Sequence, residues 1–449
     1  MSDELDNRRV LNRFYAHPER ANLLGEVHAR PFVPLSGCWD ITQFVFMLDQ
    51  HASGKTDVES LNALLCAQGG TGADQNARFL RIPLGRQFLR WERHSEFSSW
   101  AVETPLPCSA ECRPLFQPIE KNLLSPDNFE QPGPLVSAVR LVVIQGAKVD
   151  LEEHVGFFDP ASLSVSRVAH GRATIATDFR IDCEGMIRIL VLDHGLAPAE
   201  LGAVVQRAIE VETYRMLAML GLSEARDQEP LVSRIETELV KVTRRMQVSV
   251  RTDEPSLSSH EALLAELTKL AVDLEANAVA CLYRFGASRA YHDIVSRRLD
   301  VLGEQVATGY GTIGRFLNRR LAPAMQTCAS LEQRHATLSV KLARATSLLR
   351  ARVEVGLEKQ NTDLLLSMNK RVRSQLQLQQ TVEGLSVAAI SYYVVSLIGA
   401  VFKGINIPGY TIDPAVAMAV SVPVVVCSLW YIVRRIRIKH TLDEGNSAD

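Results

Sequence analysis

The sequence predicts an α/β (or α+β) N-terminal domain, then a long antiparallel α-helical stalk, then a two-helix C-terminal transmembrane hairpin. Three observations carry this expectation. Residues 78–104 alternate apolar and polar side chains between turn residues, as half-buried strands do. Beyond Pro230 the chain has no proline between Pro255 and Pro323, nor between Pro323 and Pro408, and leucines recur there at helical spacing. Two late segments, 384–402 and 414–433, hold no charged residue. The expected boundaries are 1–228 for the α/β domain, 229–381 for the stalk, 382–440 for the hairpin and 441–449 for a polar tail.

Composition sets the outer limits. At about 150 residues per domain, 449 residues make roughly three units. Lys and Arg number 49 against 51 Asp and Glu, a formal net charge of -2, which argues against a nucleic-acid binder. A hydrophobic content of 47% argues against an acidic disordered chain. The start, MSDELDNRRVLNRFYAHPER, lacks the apolar core of a signal peptide, and the eight cysteines are scattered. Reduced thiols in the cytosol are expected. Cys108 and Cys112 are a close pair without a second pair, so neither a metal site nor a cofactor is expected.

In chain order, Thr56–Gln68 reads as a short helix with an acidic first turn. FLRIPL, QFLRWER and EFSSWAVE read as a strand meander turning at Gly85 and at His94-Ser95. Residues 105–134 read as a long loop, and Leu135–Ile144 as an apolar strand. Ala173–Ile181 and Met186–Asp193 read as a hairpin, and Pro198–Leu220 as a helix with proline in its first turn. Leu231–Val250 and Ser258–Val306 follow as helices, and TGYGTIG at 308–314 breaks the pattern. A final helix then runs from about Ala324 to Phe402, about 118 Å at 1.5 Å per residue.

Each uncharged segment matches the roughly 20 residues that cross a bilayer. Lys370, Arg371 and Arg373 precede the first, and Arg434, Arg435, Arg437 and Lys439 follow the second. The positive-inside rule then places both termini in the cytoplasm. The expected partners are the lipid bilayer and further copies of the chain, joined through the stalk, with no nucleic acid. The sequence names no protein partner.

Two polar groups stand out as candidate sites. Glu26, His28 and Arg30 in EVHARPF would share one face of an extended segment, where a carboxylate can orient an imidazole and Arg30 can hold an anion. Gly404, Ile405 and Asn406 form a candidate pore loop between the apolar segments, since amide and carbonyl oxygens suit a hydrated cation. Asp193-His194-Gly195 reads as turn chemistry. Gly309-Tyr310-Gly311-Thr312-Ile313-Gly314 matches a dinucleotide fingerprint without the strand that should precede it.

EVHARPF, the β-rich body, the helix-rich second half and the close in Arg434-Arg435-Ile436-Arg437 together resemble an uncharacterised family of bacterial membrane-anchored proteins of unknown function. That resemblance implies attachment to the inner membrane and supplies no catalytic residue. The architecture also resembles the CorA-type divalent-cation channels. Their Gly-Met-Asn corresponds to Gly404-Ile405-Asn406, with Ile for Met and Lys403 in place of an aromatic. That second resemblance implies transport of a divalent cation such as Mg. The leading expectation is a non-catalytic, membrane-anchored interaction or scaffold protein, with a CorA-like channel as the alternative.

Overall fold

A computed structural model of the chain describes residues 17, 20, 32–48, 55–70, 72–75, 77–107, 115–117, 123–124, 129–146, 151–251, 257–404 and 414–444. These belong to two compact units, Met1–Thr252 with Ala265–Thr346, and Asp253–Leu264 with Ser347–Asp449.

The first unit is built on a nine-stranded sheet. Its strands are β1 (Cys38–Met47), β2 (Phe79–Leu84), β3 (Gln87–Arg93), β4 (Phe97–Leu106), β5 (Leu135–Gln145), β6 (Ser164–Val168), β7 (Ala173–Ile181), β8 (Ile187–Asp193) and β9 (Gln305–Val306). They lie in the order β2-β3-β4-β1-β5-β8-β7-β6-β9. Every pairing is antiparallel except β5 with β8, so two antiparallel halves meet at one parallel seam. The meander over 79–106, the strand from Leu135 and the β7–β8 hairpin are where the sequence places them.

Both faces of the sheet are covered. On one face Trp39 and Ile41 of β1, Leu141 and Val143 of β5, and Ile189 and Val191 of β8 meet three helices. These are α2 (Pro198–Arg251), α3 (Leu257–Leu302) and the first turns of α4 (Ile313–Gly404), which contribute Leu201, Val205, Ile209, Val295, Ile313 and Leu317. On the other face α1 (Lys55–Ala67) sets Leu61, Leu64 and Leu65 against Leu89, Trp91 and Trp100. Strand β1 pairs with both β4 and β5, and apolar residues bury on both of its sides. A strand buried on both faces reads as an apolar run, without alternation to announce it.

The helices run on where the sequence suggests breaks. α2 continues through Pro230, because one buried stripe spans that point, from Leu217, Ala218 and Ala225 to Val232, Ile235 and Leu239. The missing amide removes one hydrogen bond, and packing on both sides outweighs it. Successive helices are antiparallel: Arg245 of α2 bonds Glu266 of α3, and Cys281 further along α3 donates to Glu224 of α2. Arg289 of α3 then pairs with Glu332 of α4. Close approach is made by glycine: a Cβ on Gly221 of α2 would run into Ser288 of α3.

TGYGTIG is a helix start. Thr312 Oγ1 accepts from the Arg315 amide (3.2 Å), Ser166 Oγ from the Ile313 amide (2.9 Å), and the Glu304 carboxylate from the Gly314 amide (2.9 Å). A side chain at Gly314 would collide with that carboxylate. The helix end that a dinucleotide phosphate would need is filled by the protein's own acid. Asp193 likewise serves a turn, accepting from the amides of Gly195 and Leu196, and Gly195 has a φ of 117°.

In the second unit the later part of α4 exposes nearly all its side chains. Among the described residues one helix, Ile313–Val401, is long and apolar enough to cross a membrane. The expected two-helix hairpin is therefore supported only as far as this one helix. α5 (Pro414–Glu444) follows, but its described apolar side chains form a shorter stretch that ends in Arg434 and Arg435.

Two outcomes test the packing. Gly202 of α2 lies against the Val33 carbonyl, and a Cβ there would overlap that backbone oxygen. Gly202→Ala is expected to destabilise the protein by about 1–3 kcal/mol in chemical denaturation. Asp57, at the start of α1, is fully buried and accepts from Ser98 Oγ at 2.7 Å. Burial raises its pKa from 3.8, and the Ser98 hydrogen bond recovers only part of the shift. The unfolded chain then ionises at lower pH than the folded protein, so stability present in acid is lost as pH rises through the folded pKa. Asp57→Asn should remove that loss, so the variant's melting temperature gains on the parent's between about pH 4 and pH 8.

Candidate functional site

Strand β3, QFLRWER, sorts its side chains by period two. Leu89 and Trp91 enter the α1-side core, while Arg90 and Glu92 are buried on the side that faces α2. Arg90 Nε donates to Glu103 of β4 (2.9 Å) and Nη1 to Glu92 (2.7 Å). Arg81 of β2 also reaches Glu103 (2.9 Å). Gln43 of β1 accepts a long bond from Arg90 and donates to Thr213 of α2 (3.1 Å). Burial alone would push the Arg90 pKa down, but the carboxylates of Glu92 and Glu103 more than reverse this, so Arg90 stays charged.

The row continues into a cavity of about 410 Å³ between the ends of β2–β4 and helices α2 and α3. It is lined by Arg78, Arg93, His94, Ser95, Phe97, Tyr214, Tyr291 and Ile294. Two backbone bonds form its sheet side, Arg93 N–H to the Arg78 carbonyl and His94 N–H to the Phe97 carbonyl, both 2.8 Å. His94 stacks on Phe97 with ring centres 4.0 Å apart, and its Nε2 lies 3.8 Å from Glu92. Tyr214 and Tyr291 stack on each other at 5.7 Å, and both set an edge against Phe97.

Glu96, buried below this floor, takes a hydrogen bond from the Tyr291 hydroxyl and an ion pair from Arg284 (3.1 Å). Burial, then the facing Glu96, push the Tyr291 phenol far above its ordinary value. It therefore stays protonated and serves as a donor. The Cys281 thiol is pushed up to about 12 by burial and by Glu224, which makes it a poor nucleophile at neutral pH.

The candidate residues read from sequence stand apart from this cavity. Glu26, His28 and Arg30 lie outside the described residues, as do Ile405, Asn406, Cys108 and Cys112. Gly404 is the last residue of α4. Lys370, Arg371 and Arg373 are exposed on α4. Arg434 and Arg435 are exposed on α5, with the Arg434 guanidinium 5.0 Å from the Trp430 ring centre. Arg437 and Lys439 belong to α5, but their side chains are outside the description. Among the described residues no group of three or more His, Cys, Asp and Glu is placed to hold a metal ion. Sequence reading missed the cavity. The available signal was two charged residues, Arg90 and Glu92, alternating with Leu89 and Trp91 in a strand that ends at Arg93, just before His94.

A family model described as "Protein of unknown function (DUF3422)" matches residues 15–440, so the chain belongs to that family. No curated protein and no solved structure matches it.

The buried row makes a sharp prediction. Arg90→Met leaves Glu92 buried without its arginine and Glu103 with Arg81 alone, and should cost about 3–5 kcal/mol in chemical denaturation. Adding Glu92→Gln should recover part of the loss.

Proposed function

We propose that this member of the family is a membrane-anchored, non-catalytic protein, with its sheet domain held at the membrane as an interaction or scaffold module. One observation carries the reading. α4 continues without interruption into the uncharged stretch 384–402, where Tyr392, Tyr393, Leu397 and Val401 are exposed. Apolar surface of that extent on a helix calls for lipid or protein. The stretch after Pro414 returns across the membrane to complete a hairpin. The bases at Lys370, Arg371, Arg373, Arg434, Arg435, Arg437 and Lys439 hold both ends on the cytoplasmic side of the plasma membrane.

Copies of the chain associate through the helical stalk. The turns before the membrane stretch expose Leu364, Leu365, Met368, Val372 and Leu376, a stripe that a neighbouring helix would cover. The CorA-like channel reading rests on Gly404-Ile405-Asn406 and ranks second, because Lys403 puts a positive charge beside that loop.

Topology tests the proposal. With Asn406→Cys, an impermeant maleimide added to intact cells should label position 406, while a cysteine introduced at Ser447 should label only after the cells are permeabilised. Release of the protein by alkaline carbonate would contradict anchoring, and labelling at Ser447 from outside would contradict the hairpin. Proteoliposome flux of Mg that Asn406→Ala abolishes would move the assignment to the channel.

A further inference from the structure

We propose that residues 430–439 of α5 form a binding site for the phosphate of anionic phospholipid headgroups. The inference rests on the reading of 414–433 as the returning membrane span, and it adds which lipid that span selects. The argument starts from charge. Arg434, Arg435, Arg437 and Lys439 fall within six residues, directly after a stretch with no charged side chain. No acid occurs between Asp413 and Asp443. Arg434 and Arg435 are exposed, and among the described residues neither pairs with an acid. At 1.5 Å per residue the four bases cover about 8 Å of helix, close to the depth of one headgroup layer. A basic cluster at that depth is drawn to anionic lipid.

Trp430 supplies the second half of the recognition. It lies one turn before Arg434, is exposed, and carries the Arg434 guanidinium 5.0 Å from its ring centre. An indole settles at the boundary between membrane and water, with its apolar body toward the hydrocarbon. A guanidinium over an aromatic ring spends none of its N–H donors on that contact, and they form a planar fork that matches a phosphate. The bases of α4 stand differently. Arg373 lies eleven residues, about 16 Å of helix, before the uncharged stretch that begins at Gly384, and the charged residue next to that stretch is the acid Glu383. That distance exceeds the headgroup layer by about a Debye length, so Lys370, Arg371 and Arg373 contribute little to the choice of lipid.

The experiment uses the full-length protein in lipid nanodiscs, where both membrane faces are open and orientation does not matter. Lipids brominated on their acyl chains quench Trp430 fluorescence, and Trp430→Phe supplies the background from Trp39, Trp91 and Trp100. Brominated phosphatidylglycerol should occupy the position beside Trp430 at least about threefold better than brominated phosphatidylcholine does. Replacing Arg434, Arg435, Arg437 and Lys439 together by Gln should bring that ratio to about one, and Arg434→Gln alone should lower it. Lys370→Gln, Arg371→Gln and Arg373→Gln combined should leave it unchanged. Quenching of each variant by brominated phosphatidylcholine shows that the variant remains inserted. Equal quenching of the parent by the two lipids, a preference that survives in the four-base variant, or one that vanishes in the α4 variant would each overturn the proposal. Quenching of the parent by neither lipid would instead contradict the membrane span itself.

Discussion

Apolar side chains must leave water, and the chain meets that requirement in one unit and leaves it open in the other. In the first unit, sheet faces too apolar for solvent force the long helices and α1 into place. Leu201, Val205 and Ile209 of α2 and Leu61, Leu64 and Leu65 of α1 are consequences of that need. In the second unit the requirement is unmet within the chain. Leu364, Leu365, Leu366, Leu397 and Val401 stay exposed on α4. The proposal of a membrane anchor rests on this contrast, because the same helix is buried where protein covers it and bare where none does.

Charge follows the same logic at smaller scale. Arg90 enters the interior only because Glu92 and Glu103 enter with it, and the row they form leads to the rim of the cavity at His94. Buried ionic groups of this kind favour a particular arrangement more than they add stability. Here the arrangement is that of β2, β3 and β4 relative to α2, which the row reaches through Gln43 and Thr213. The Glu304 carboxylate does comparable work at the start of α4, tying β9 and β6 to the helix through Gly314 and Ser166.

Much of the architecture was legible in the sequence where a pattern had a single cause. FLRIPL, QFLRWER and EFSSWAVE showed their alternation because each strand has two chemically different sides, and Pro198 marked the start of α2. β1 escaped because CWDITQFVFM buries apolar residues on both sides. The break expected near Pro230 failed because local propensity was set against a stripe of contacts running from Leu217 to Leu239. TGYGTIG was read as a break in the helical pattern, and it is a start whose capping acid lies ten residues away in sequence. The cavity draws on three distant stretches, around 78–97, at 214 and at 291–294, and no local window joins them.

The most direct test of the membrane assignment compares two parts of one helix. Residues 357–381 and 385–402 of α4 are helical, and both expose their apolar side chains. Hydrogen–deuterium exchange of the full-length protein in lipid nanodiscs separates them. The account predicts that amides over 385–402 are protected for hours, while those over 357–381 exchange faster. Equal exchange rates in the two stretches would contradict it.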